Sequence, residues 1–188
     1  MLLELVERLG NLMRTELRKS GSDESLQPVH LQALTFLGKA NRYSNTPQAL
    51  TDYLGLTKGT VSQTLLLLDR RGLIERYQDD IDRRVVRLRL SASGEQYLYE
   101  AQPALAWQNA TRNLSPNRIR NAVSALRETL TQLQDDNDGS HFGECSACTW
   151  CQKQSQRNYK CGLMGERLSG PETRKICWHY ENKKEEVA

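Results

Sequence analysis

Cysteine is the residue type that most plainly equips this chain for chemistry. All five cysteines fall between residues 145 and 177, in G-E-C-S-A-C-T-W-C-Q-K-Q-S-Q-R-N-Y-K-C and I-C-W-H, and the first 144 residues contain none. A lone cysteine usually behaves as a small buried hydrophobe, but packing does not gather five into one short stretch. Cys145, Cys148 and Cys151 are separated by two residues each; Cys161 follows after nine more and Cys177 after fifteen. A C-x2-C-x2-C run with distant cysteines suits iron–sulfur ligation, where thiolates grip different irons of one cluster. Zinc prefers two knuckles, or one knuckle and a histidine pair. Cys177 and His179 are one residue apart, tight for two ligands on one ion. Three chemistries therefore stay open: an iron–sulfur cluster sensing redox or iron status, a structural Zn module, and a metal-free thiol–disulfide switch. Lys153, Arg157, Lys160, Arg174 and Lys175 surround the segment, and positive charge favours thiolates and an anionic cluster. Its large apolar residues, Phe142, Trp150, Leu163, Met164, Leu168, Ile176 and Trp178, make a thin core of the kind that needs a metal or cross-links.

The elements that must position these thiols read as mainly helical. Leu2, Leu5, Val6, Leu9, Leu12, Met13 and Leu17 recur at helical spacing over residues 2–17, and Gly21 to Ser25 break that helix. A second helix spans about Val29 to Lys39. Thr46-Pro47 is a cap followed by proline at the first helical position, and the short helix it starts ends at Gly55. Thr57 caps the next helix, which stops at Gly72. The period then changes to two: Val86, Leu88 and Leu90 alternate with Arg87 and Arg89, and Gln78 to Asp82 form the tip of a hairpin whose first arm is Leu73 to Tyr77. A long helix runs from near Ser93 to about Asn113, with a bend at Pro103. Ser115-Pro116 starts the last helix, which stacks Ile119, Val123, Leu126, Leu130 and Leu133 in a heptad-like seam. Asp135 to Ser140 read as an acidic linker joining this seam to the cysteine segment. For a sensor, that linker would connect the centre to the terminal helices and set the spacing of the reading helices.

Two short helices about a tight turn, followed by a hairpin carrying Arg83, Arg84, Arg87 and Arg89, outline a winged helix. A major groove about 12 Å wide admits one helix, whose N-terminal residues reach base edges. Thr57, Lys58, Thr60, Ser62 and Gln63 supply hydroxyls, an ammonium and an amide at such a start, while Val61, Leu65 and Leu68 face inward. Small polar side chains there let backbone approach phosphate, assisted by the helix dipole. Gln63 suits an adenine edge, and Lys58 a guanine or a phosphate.

The run L-T-D-Y-L-G-L-T-K-G-T-V-S-Q-T-L-L-L-L-D-R-R-G-L-I, then D-x-R, then V-R-L-R-L-S-A-S-G, resembles the MarR family of bacterial transcriptional regulators. The resemblance covers roughly residues 1–135 and implies a winged helix-turn-helix with N- and C-terminal dimerisation helices, leaving 136–188 as a small cysteine-rich module. It implies a homodimer on a pseudo-palindromic operator of double-stranded DNA. It also implies that Asp82 and Arg84 stand at the wing tip, with Arg84 in the minor groove and Asp82 supporting the wing through an ion pair; Arg83, between them in the arginine cluster, is a further DNA-binding candidate. Ser91 stands where the family usually has threonine. Some members carry a similar cysteine-bearing tail ending in I-C-x-x-H; that likeness implies Cys145, Cys148, Cys161 and Cys177 as ligands, with Cys151 and His179 as possible additions. A small-molecule effector is possible in this family but not indicated here, and Trp107, Tyr97 and Tyr99 suit packing better than a ligand cavity.

Other classes fit less well. Of 188 residues 38% are hydrophobic and 26% charged, as in a soluble chain with a modest core, and net charge is only +3. No apolar run approaches the ~20 residues that span a bilayer, and Met1 to Arg8 mix acids among apolar residues, unlike a signal peptide. A cytoplasmic protein is expected. His30, His141 and His179 have no nucleophile or acid–base partner at motif spacing, so no enzyme is expected.

Overall fold

The computed structural model describes residues 1–20, 26–101, 105–136 and 141–183. Helices α1 (Leu2–Ser20), α2 (Pro28–Lys39), α3 (Pro47–Leu54) and α4 (Lys58–Arg70) lead into a hairpin of β1 (Ile74–Gln78) and β2 (Val86–Leu90). Helices α5 (Ala92–Ala101), α6 (Leu105–Thr111) and α7 (Pro116–Asp136) follow. The expected break at 21–25 and bend at Pro103 lie outside the described residues.

Start and stop signals act as their chemistry dictates. The Thr46 hydroxyl accepts from the Ala49 amide and that of Thr57 from the Thr60 amide, each satisfying a donor left unpaired at a helix start. Gly55 and Gly72 close the two helices at φ of 62° and 65°, a region that disfavours side chains. Ser91 performs the capping that threonine would: its hydroxyl accepts from the Gly94 amide and donates to the Gly72 carbonyl. A Cβ on Gly94 would lie 2.0 Å from the Leu73 carbonyl oxygen, so glycine lets α5 close onto the hairpin.

Phe36, Leu34, Leu50, Val61, Leu65, Leu68 and Leu88 are each below 2% exposed, so α2, α3, α4 and β2 converge on one hydrocarbon core. The strands pair antiparallel from Ile74↔Leu90 to Gln78↔Val86. This corrects the expected boundaries: Leu73 precedes the first strand, Gln78 belongs to it, and the tip runs on to Val85. The alternation on β2 is also only partial. Leu88 is buried, but Val86 is 38% exposed, while the Arg87 side chain is only 16% exposed.

Helices α1 and α7 have the opposite balance. Leu5, Val6, Leu9 and Met13 on α1, and Ile119, Val123, Leu126, Leu130 and Leu133 on α7, are between 40% and 55% exposed. The described side chains of α7 include none that is buried, so its seam is amphipathic without being covered by this chain.

The cysteine segment folds as small sheets. β3 (Gly143–Glu144) pairs with β7 (Ile176–Cys177), and β4 (Cys151–Lys153), β5 (Asn158–Cys161) and β6 (Arg167–Ser169) form a three-stranded antiparallel sheet. Asp135 and Asp136, expected in the linker, complete α7 instead; 137–140 lie outside the described residues. The segment does not hang free. Ile176 bridges to Ala40, the Asn41 amide donates to the Ile176 carbonyl at 2.9 Å, and the Trp178 amide donates to Ser44 Oγ at 2.7 Å. Phe142, Ile176 and Trp178, expected in the tail's own core, pack against the winged-helix core, with Phe142 edge-on to Tyr53 and Phe36. The tail's own buried cluster is Cys145, Cys148, Cys177 and Tyr180. Gly143 admits the Tyr180 ring, which a Cβ there would meet at 2.7 Å.

Candidate functional site

Two surfaces carry the chemistry. The first is the start of α4 with the wing. Thr57, Lys58, Thr60, Ser62 and Gln63 are all exposed on the first turns of α4, whereas Val61, Thr64, Leu65 and Leu68 are buried. The helix thus shows a polar N-terminal face, with backbone donors at its end, and is anchored by the opposite stripe. The Thr57 and Thr60 hydroxyls share a hydrogen bond at 3.0 Å, so Thr57 is a cap as well as a surface group.

The wing sorts its arginines by partner. Arg89 pairs with Glu75 at 2.7 Å and lies over the Tyr77 ring. Arg87 pairs with Asp79 at 2.7 Å and reaches the Tyr43 carbonyl, so it braces the wing from inside. Arg83 and Arg84 are exposed at the tip. Arg84 makes a two-point contact with Asp82 at 3.0 and 2.9 Å, its side chain still 91% exposed, and the same carboxylate accepts the Arg84 amide. Both the contact with the Arg84 side chain and that with its amide hold the Asp82 carboxyl below its ordinary range.

Asp79, in the polar tip of the hairpin, shapes the wing most. One carboxylate oxygen accepts the Ile81 and Asp82 amides and the other accepts Arg87 Nε. These contacts, led by the Asp82 amide, hold its pKa down to about 2. An aspartate opening a polar tip is the sequence signal of such a turn.

The second surface is internal. All five cysteines line one narrow cavity, together with His179, Trp150, Asn41, Tyr43, Leu163, Met164 and Leu168. Strand pairing sets Cys151 opposite Cys161, so Cys151 stands with the expected four rather than apart from them. Cys145, Cys148 and Cys177 are buried and Cys151 and Cys161 half-buried. The Cys145 and Cys177 side chains are hydrogen-bonded to each other. Cys177 is pulled down to about 6, first by that hydrogen bond and then by the Asn41 side-chain amide and by His179, against burial. Cys145 is pushed far up by the same hydrogen bond and by burial. Burial raises Cys151 as well.

Whether these residues suit a metal centre is tested by the cavity wall. Trp150 Nε1 is buried and has no hydrogen-bond partner among the described residues, although it belongs to a side chain lining the cavity. A buried N–H without an acceptor is costly, and sulfur atoms of a bound centre are acceptors of the kind it lacks. The lining, five cysteines and a histidine beside an unpartnered donor, is of the chemical kind that thiolate-held groups use. Among the described residues no three His, Cys, Asp or Glu side chains meet as ligands of a single ion.

The histidines have other roles. His30 Nδ1 accepts the Gln27 amide at the start of α2, and burial lowers its pKa. His141 pairs with Asp135 at 3.1 Å. Trp107 and Tyr99 are exposed, and Tyr97 packs against the winged-helix core. No helix among the described residues is long and apolar enough to cross a membrane.

Comparison with known proteins places this geometry. Residues 25–85 match the model of the MarR family. The transcriptional repressor MprA of Escherichia coli K12 is 32% identical over 126 residues, which cover 64% of this chain and 69% of that protein. Streptococcus pneumoniae FabT, solved in complex with DNA, has a similar fold: TM-score 0.56, 24% identity, 70% of this chain and 94% of that one. The Staphylococcus aureus MepR–DNA complex gives 0.58 at 21% identity over 70% and 98%. A MarR transcriptional regulator from Methanosarcina mazei Go1 gives 0.61 at 18% over 71% and 96%.

Proposed function

This chain belongs to the MarR family of transcriptional regulators, which are not enzymes, and from that premise we propose that it is a homodimeric, duplex-DNA-binding regulator whose C-terminal thiols hold an iron–sulfur cluster that senses redox or iron status. Residues 1–135 bind DNA and dimerise; 136–188 form the sensing module. The observation that carries the DNA reading is the exposed Thr57, Lys58, Thr60, Ser62 and Gln63 on a helix start, beside a wing tip that presents Arg83 and Arg84. The helix enters the major groove, the wing tip follows the backbone into the minor groove, and a second copy covers the apolar faces of α1 and α7. MprA is named a repressor, and FabT and MepR have been solved with DNA, in keeping with this reading.

Cys145, Cys148, Cys161 and Cys177 would ligate the cluster, with Cys151 and His179 within the same wall. When bound, such a cluster supplies reversible one-electron chemistry and lability to oxidants. This chain's residues do the rest: buried sulfurs exclude water, Trp150 Nε1 offers a donor, and Asn41 fixes Cys145. A structural zinc module is the alternative, and it would need Cys145, Cys148 and Cys177 of the buried cluster to close with a fourth ligand around one ion.

Fluorescence-anisotropy titration against duplexes from the gene's own promoter region, with sedimentation to give the oligomeric state, tests the proposal. Saturable, salt-dependent binding by a dimer is expected. A monomer indifferent to those duplexes would end the reading.

A further inference from the structure

We infer that Asn41 is the positioning residue through which the state of the thiol centre reaches the DNA-binding wing. The inference rests on the reading of the chain as a DNA-binding sensor and adds the route by which one site acts on the other.

Asn41 follows α2 and is 3% exposed. Its side-chain Nδ2 donates to Cys145 Sγ at 3.4 Å, and its Oδ1 accepts the Tyr43 amide at 3.0 Å and the Ser44 hydroxyl at 2.7 Å. Ser44, fully buried, takes the amide of Trp178, the neighbour of Cys177. From there the bonds run into the wing. Asn45 exchanges backbone and side-chain bonds with Leu88 on β2, and its Nδ2 also donates to the Tyr77 hydroxyl on β1 at 3.0 Å. The carbonyl of Tyr43 accepts Arg87 Nη1 at 3.1 Å, and Arg87 holds Asp79, whose carboxylate orders the tip. Residues 41–45 therefore form a polar turn, buried at Asn41, Ser44 and Asn45, with one end on a cysteine sulfur and the other on both strands of the wing.

That turn has no slack. A Cys145 sulfur held by a bound centre is fixed in place as the acceptor of Nδ2, whereas a freed Cys145 side chain is able to turn away from it. At 3% exposure water does not replace a weakened bond, and an unmade buried bond is costly. Rotating the Asn41 amide to recover a partner moves Oδ1 away from Tyr43 and Ser44, and so shifts the segment on which Asn45 and Arg87 rest. The ion pair of Arg42 with Glu166 at 3.0 Å and the Tyr43 hydroxyl bond to Glu166 at 2.9 Å keep the tail seated on this turn in either state. This differs from the expected route through the 135–140 linker and α7. It needs no change in dimer spacing.

The test uses the full chain, purified anaerobically, with duplex affinity measured before and after removal of its metal by a chelator. Wild type is expected to change affinity on the order of tenfold, within the usual range for coupled sites. Asn41→Ala and Ser44→Ala are expected to bring that ratio close to one in chains that have retained their metal. Hydrogen exchange on wild type gives a second readout: metal removal is expected to speed exchange at the Arg87 and Leu88 amides. A wild type whose affinity ignores metal removal overturns the sensor reading and this inference with it. A wild-type ratio preserved in metal-replete Asn41→Ala overturns the inference alone. If the variants lose metal, unchanged wing exchange in wild type overturns it as well.

Discussion

The centre of the winged helix is the fully buried hydrocarbon of Phe36, Leu34, Leu50, Val61, Leu65, Leu68 and Leu88; the centre of the tail is the buried cluster of Cys145, Cys148, Cys177 and Tyr180. The first set coheres through hydrocarbon burial, which no oxidant or chelator alters. The second coheres through sulfurs whose bonding partners can change. One chain thus carries a chemically inert winged helix and a chemically labile neighbour, joined where Ala40, Asn41 and Ser44 meet Ile176 and Trp178. On the proposed sensor reading, a signal would enter at the part whose buried side chains can change their bonding partners.

The largest effect expected from this contrast follows removal of the thiols. In Cys145→Ser/Cys177→Ser, proteolysis with mass spectrometry should find cleavage throughout 143–183, while 26–101 stays protected. Equal loss of protection in both regions would erase the distinction. Next comes Leu50→Ala, which should cost about 2–5 kcal/mol of winged-helix stability. Denaturant unfolding measures that loss, and metal content per folded chain should stay unchanged. Arg84→Ala should weaken duplex binding about tenfold and lower the salt slope by about one, without altering stability. An unaltered affinity and slope in anisotropy titrations would remove the wing from recognition.

The smallest effect is a pH dependence of the wing tip. Asp79 has a pKa lowered to about 2, so its folded carboxyl lies below the unfolded value of about 3.9. Its ordering of the tip is therefore complete above about pH 4 and is lost as pH falls through about 2. The Ile81 and Asp82 amide shifts in NMR should hold steady from pH 7 to 4 and move only below 3. A midpoint near 4 would show that Asp79 is not held by Arg87 and the tip amides.

How much could be read from the sequence divides along the same line. Thr46, Thr57, Gly55 and Gly72 announce helix ends through local chemistry, and the leucine spacing gives the core stripe, so the winged helix was legible almost element by element. Asn41, Ser44 and Asn45 have no period to betray them, and their partners Cys145, Trp178 and Leu88 are far off in the chain. Phe142, Ile176 and Trp178 are apolar residues of the tail, but nothing local says that they complete a neighbouring core. Arg87 reads as a surface charge because β2 alternates, yet its neighbour across the tip is Asp79. The five cysteines were visible as a group, while the placing of Cys151 opposite Cys161 depended on strand register.

The central claim, that the C-terminal sulfurs hold an iron–sulfur centre, is tested most directly by iron, sulfide and zinc analysis with a visible spectrum on protein purified without oxygen. The account predicts iron and acid-labile sulfide in comparable amounts, and absorption that bleaches on reduction. A colourless protein with one zinc per chain and no sulfide would contradict it.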